Sequence, residues 1–90
     1  MTNIELFKQI VDELTTIYEA KNADYGNSFD KTCDEFGIVA ALVRMNDKLN
    51  RLIQLSKTDA KVKDESVEDT LKDLANYAIL TLIWFKNKTV

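Results

Sequence analysis

The sequence predicts an all-α fold, a compact bundle of three main helices with one short helical turn. Two observations about the chain carry this reading. Its 90 residues contain no proline and only two glycines, Gly26 and Gly37, so little interrupts helical propagation. Apolar residues recur at three- and four-residue steps through three long stretches, the period of a helix with one buried face. The apolar fraction of 46% beside 30% charged residues describes a globular rather than a disordered chain. Its length makes residues 1–90 one domain with a modest core, and association with further copies is expected to help stabilise it.

The first helix is expected over about 3–23. Thr2 followed by Glu5 fits a capping box, in which hydroxyl and carboxylate satisfy backbone N–H groups reciprocally. Phe7, Ile10, Val11, Leu14, Ile17 and Tyr18 then repeat with helical spacing. Residues 20–29, AKNADYGNSF, read as a polar loop in which Gly26 supplies a positive φ and Asn27 or Ser28 begins the next turn. A carboxylate, a phenol, an amide and a hydroxyl meet there in Asp24, Tyr25, Asn27 and Ser28, with Lys21 just upstream. Such a loop is either a ligand contact or a capped turn that tucks Tyr25 and Phe29 into the core.

Residues 30–36 are expected to form the short helical turn, closed by Gly37, with Cys33 as a small apolar filler. The second long helix, about 38–57, carries Ile38, Leu42, Met45, Leu49, Leu52 and Ile53 as its stripe. Beside that stripe lies a basic row of Arg44, Lys48 and Arg51. Residues 57–64 are short and charged and read as the connection folding the third helix back, antiparallel to the second. The third helix is expected over about 66–86 with Ser66 as its N-cap. Its second half, AILTLIWF, is apolar on nearly every side, which predicts self-association.

Composition removes several functions. The chain has no histidine and one cysteine, which excludes the usual zinc ligand sets, a disulfide framework within the chain and histidine as a catalytic base. No signal peptide is expected from MTNIELFKQ, and no apolar run approaches the roughly 20 residues of a membrane span, so a cytoplasmic protein is expected. A net charge of −3 disfavours general nucleic-acid binding.

On the third helix Glu65, Asp69 and Asp73 share a face with Asn76, and this acidic row matches the basic row of Arg44, Lys48 and Arg51 in length, about 12 Å against about 10 Å. The rows are either an interhelical ladder of salt bridges or a phosphate site. In the second case the cations bind anionic groups, the carboxylates orient them or hold a divalent metal, and Tyr25 or Tyr77 stacks on a base. A nucleotide would use all three kinds of group. A chain this small is expected to complete such a site across subunits.

The succession KNADYGNSF, RMNDKLNRLIQL and DESVEDTLKDLANYAIL resembles the nucleotide-modification-associated domain family of bacteriophages and bacteria over about residues 20–80. The resemblance implies a helical protein tied to nucleotides, in the host cytoplasm if phage-encoded. From the size of the chain and this family context we expect a binder that sequesters a linear or cyclic nucleotide signal of host defence. Its candidate ligand-binding residues are Lys21, Asp24, Tyr25, Asn27, Ser28, Arg44, Lys48, Arg51, Asp69, Asp73, Asn76 and Tyr77.

The chain is also similar to all-α nucleoside triphosphate pyrophosphohydrolases, whose acidic helical motifs bind magnesium. That similarity implies a Mg²⁺ site made by Glu65, Glu68, Asp69 and Asp73, although the E-x-x-D element expected after Glu65-x-x-Glu68 is missing here. A helical protein-interaction module without a ligand is the third expectation.

Overall fold

The computed structural model describes residues 1–57 and 63–88, which form four α-helices and no strand. These are α1 (Asn3–Tyr25), α2 (Ser28–Phe36), α3 (Val39–Leu55) and α4 (Lys63–Lys88). The all-α bundle expected from the sequence is therefore present, with the short turn expressed as the separate helix α2. Most of the connection expected at 57–64 lies outside the described residues.

The capping box forms as its residues require. Thr2 Oγ1 accepts from the Glu5 N–H at 3.1 Å, and Glu5 Oε1 accepts from the Thr2 N–H at 3.3 Å. The helix it starts continues through most of the expected loop to Tyr25. It ends where Gly26 takes φ 61° and donates its N–H to the Asn22 carbonyl at 2.8 Å. Gly37, at φ 78°, ends α2 in the same way by donating to the Cys33 carbonyl at 2.7 Å. A side chain at either position would be strained.

The expected N-cap at Ser66 is incorrect. This residue lies inside α4, and its carbonyl accepts from the Thr70 hydroxyl at 2.6 Å. Nothing among residues 63–66 breaks a helix, and Glu65 suits a first turn, so the helix starts earlier.

The most extensive packing is between α3 and α4, which run antiparallel: Arg51 meets Thr70, Lys48 meets Asp73, and Ala41 packs with Trp84. α2 lies across one end of this pair, where Cys33, Ala41 and Trp84 are buried together and Phe29, Ala40 and Met45 pack around them. Asp34 accepts the Trp84 indole N–H at 2.8 Å, so the polar handle of the most buried aromatic is satisfied and α2 is tied to α4. α1 packs on α4 through its middle. Leu14 is buried there, its carbonyl accepts from Asn76 Nδ2 at 3.4 Å, and Glu13 pairs with Lys72 at 3.0 Å.

Ala41 is 0% exposed between Cys33 and Trp84, so the α2–α3–α4 junction has no room for a larger side chain. Ala41→Leu is expected to lower stability by about 1–3 kcal/mol through overpacking. Urea unfolding followed by circular dichroism should give a lower midpoint with native helicity retained at zero denaturant.

Candidate functional site

One cleft of about 360 Å³ opens where the last turns of α1, the start of α2 and the middles of α3 and α4 meet. α1 supplies Tyr18, Lys21, Asn22 and Tyr25, which share one helix face at steps of three and four residues. α4 supplies Asp73, Asn76, Tyr77 and Leu80 by the same periodicity, and α3 supplies Arg44.

Asp73 organises the charge at this cleft. Its carboxylate accepts from Lys48 at 3.0 Å and from Lys21 at 3.3 Å, joining α4 to both α3 and α1. Burial alone would raise its pKa. The hydrogen bond from Lys48, the charges of Lys21 and Lys48 and the hydrogen bond from Lys21 outweigh that, and the carboxyl titrates below its usual range. Two cations thus answer one anion. Arg44 is in no salt bridge among the described residues, and its guanidinium is available to an anionic ligand.

A second set of donors lies on the same cleft. Asn27 is the N-cap residue of α2 but makes no side-chain hydrogen bond to the first turn, and the first backbone bond of that helix runs from the Lys31 N–H to the Asn27 carbonyl at 3.0 Å. The N–H groups of Ser28, Phe29 and Asp30 therefore have no partner within the helix, at the end where its dipole is positive. All three residues line the cleft. The Asp30 carboxylate, also in that first turn, opposes an anion and marks one edge of the favourable region.

The apolar surface is aromatic. Phe29 and Tyr77 stack with ring centroids 6.1 Å apart and planes at 28°, while Tyr25 is 71% exposed at the rim and free to receive a planar group. A neighbouring hollow of about 410 Å³ shares Arg44 and Tyr77 with the cleft and adds Asp47, Lys48 and Arg51.

The cleft thus combines anion donors with aromatic faces, and a family comparison gives that combination a context. A model of the nucleotide modification associated domain 1 family matches residues 21–85. The chain belongs to that family. The matched segment contains every residue lining the cleft except Tyr18. No curated protein and no solved structure matches the chain.

Within this domain, eight of the residues picked from the sequence come together at the cleft: Lys21, Tyr25, Asn27 and Ser28 from the α1–α2 corner, with Arg44, Asp73, Asn76 and Tyr77. Lys48 and Arg51 line the adjoining hollow instead. Arg51 donates from Nε to Thr70 Oγ1 at 3.1 Å, a neutral partner that the row of charges did not suggest. Asp24 is exposed and outside the lining, because the expected loop is helical here and puts Asp24 on a different face from Lys21 and Tyr25.

Among the described residues the matched rows of charge form one rung, Lys48–Asp73. Glu65 and Asp69 are in no salt bridge among the described residues, and Glu68 pairs with Lys72 at 3.6 Å. No three carboxylates or thiols among the described residues gather into a group that could hold a metal ion, so the set Glu65, Glu68, Asp69 and Asp73 does not fit Mg²⁺ as placed.

Asn22, Asp30 and Leu80 were not expected at the site, Tyr18 was expected in the apolar period of the first helix, and Phe29 had a place only in the alternative of a capped turn. Extending the first helix through Tyr25 would have aligned Tyr18 and Asn22 with Lys21 and Tyr25. Cys33 is 1% exposed, and burial together with the nearby Asp30 charge pushes its thiol pKa up, which suits a packing role and not a nucleophile.

Because the folded-state pKa of Asp73 is depressed, its stabilising effect is complete above the unfolded carboxylate range of about 3.9 and is lost as pH falls through the folded value. Urea titrations between pH 7 and pH 2 should show wild-type stability falling on that acid limb. Asp73→Asn is expected to be less stable at pH 7, by on the order of 1 kcal/mol, and to lose less on acidification.

Proposed function

We propose that this domain binds a small nucleotide in the α1–α2–α4 cleft and retains it without cleaving it. The observation that carries the reading is the meeting of uncommitted Arg44 with the uncapped first turn of α2 in one aromatic-walled cleft. Phosphate oxygens are the anions that suit a guanidinium fork beside backbone N–H groups at a helix start. The base then stacks on the exposed ring of Tyr25 or against the Phe29–Tyr77 pair, and the Asn22 amide is placed to read a polar edge.

Lys21, Lys48 and Asp73 serve as a preorganised frame that holds α1, α3 and α4 at the distance the ligand needs. The volume falls at the lower end of the roughly 300–1,000 Å³ found for small-molecule sites. The absence of histidine from the chain, the buried thiol and the scattered carboxylates among the described residues favour holding over hydrolysis. A phage-encoded protein of this kind would act by withdrawing a linear or cyclic nucleotide signal from a host defence pathway.

The test is equilibrium dialysis against nucleoside mono- and triphosphates and cyclic nucleotides, with and without magnesium, followed by heat release and chromatography. One class should be retained and emerge unchanged. Arg44→Ala should weaken its binding at least about 10-fold, the loss expected for a charge-assisted hydrogen bond. Magnesium-dependent conversion to a monophosphate would overturn the retention claim, and no binding across the panel would overturn the nucleotide reading itself.

A further inference from the structure

The α3–α4 pair has two faces, and only one is covered by this chain. On α3, Leu42, Leu49 and Ile53 fall on one line at steps of seven and four residues. On α4, Leu71, Leu82 and Phe85 fall on another at steps of eleven and three. Each line lies about 100° around its helix from residues that meet the other helix, Ala41 and Lys48 on α3 and Thr70 and Trp84 on α4. The rotation has the same sense on both helices. Because the helices run antiparallel, that sense brings both lines to one side of the pair, and Lys72 and Asn76, which hold α1, lie on the other.

All six side chains are exposed, at 47–54%. They form a continuous apolar face of an antiparallel helix pair, with Ala75 and Ala78 between Leu71 and Leu82 to allow close approach.

The surface area says how much must be covered. A compact monomer of 10.3 kDa exposes roughly 5,400 Å². This chain exposes 6912 Å², an excess of about 1,500 Å² over that expectation. Its radius of gyration of 14.7 Å likewise exceeds the roughly 12 Å of a compact chain of this length. An obligate dimer removes about 1,000–2,500 Å² from each partner, and the excess falls in that range.

We infer that the Leu42–Leu49–Ile53 and Leu71–Leu82–Phe85 face packs against the same face of a second copy, making a four-helix bundle at the centre of a two-fold dimer. A helix-pair face of this kind is self-complementary under a two-fold axis, and its shape matches the faces of antiparallel bundles. The clefts then lie on the outer sides of the dimer, each built from one chain. The inference does not depend on what the clefts bind.

Sedimentation equilibrium of the full chain at tens of micromolar should give twice the 10.3 kDa monomer mass. Leu49→Glu and Leu82→Glu should each return it to the monomer mass with reduced helical stability. A monomeric wild type, or a dimer that survives both substitutions, would overturn the inference. A second measurement keeps the test decisive if the variants do not fold. With a soluble paramagnetic reagent added to wild type, the methyl signals of Leu42, Leu49, Ile53, Leu71 and Leu82 should be shielded while those of Ile4 and Val11 broaden. The reverse pattern would place the contact on α1 and overturn the assignment of this face.

Discussion

The carboxylate of Asp73 is the interaction on which the rest of the arrangement depends, because one partly buried anion is shared by lysines from two other helices. Without its charge Lys48 and Lys21 would repel across the same gap, and α1 would lose one of the few polar ties that fix its last turns to α4. The cleft exists because those last turns are held there. Asp73 thereby occupies the two lysines, while Arg44 is in no salt bridge among the described residues. The same logic explains why α1 is held by specific polar contacts, Glu13–Lys72 and Asn76 to the Leu14 carbonyl, while much of its first half stays exposed.

The helices were legible in the sequence because their signals are local. Thr2 and Glu5 announced the first cap, Gly26 and Gly37 the two positive-φ stops, and the apolar periods the three long elements. The boundaries that moved did so where polar residues are compatible with either a helix or a loop. Ala20–Tyr25 is rich in turn-forming residues but contains nothing that breaks a helix, so it continues α1. Ser66 resembles a cap in isolation, yet the residues before it propagate the helix past it.

The site was less legible, since it depends on rotation between helices. Rows matched in length suggested a ladder, but antiparallel packing aligns Lys48 with Asp73 and puts buried Thr70 opposite Arg51. Thr70 satisfies itself by donating to the Ser66 carbonyl, which leaves its oxygen able to accept from the guanidinium. No single-helix pattern announces that pairing. The bond from Trp84 to Asp34 is similarly nonlocal, and it explains why an aromatic in an otherwise exposed apolar run became core. Residues on one face of α1 and α4 were recoverable by period; Arg44, which has no ion-pair partner among the described residues, was recoverable only as one of three cations.

Whether α2 presents its first-turn N–H groups to a bound phosphate is measured most directly by an amide NMR titration of the ¹⁵N-labelled chain with the nucleotide class found in dialysis. The Ser28, Phe29 and Asp30 amides should move earliest and furthest, saturating together with Tyr25 and Arg44, while Leu49 and Leu82 stay in place. Saturable binding that leaves those three amides unmoved would contradict that role for α2.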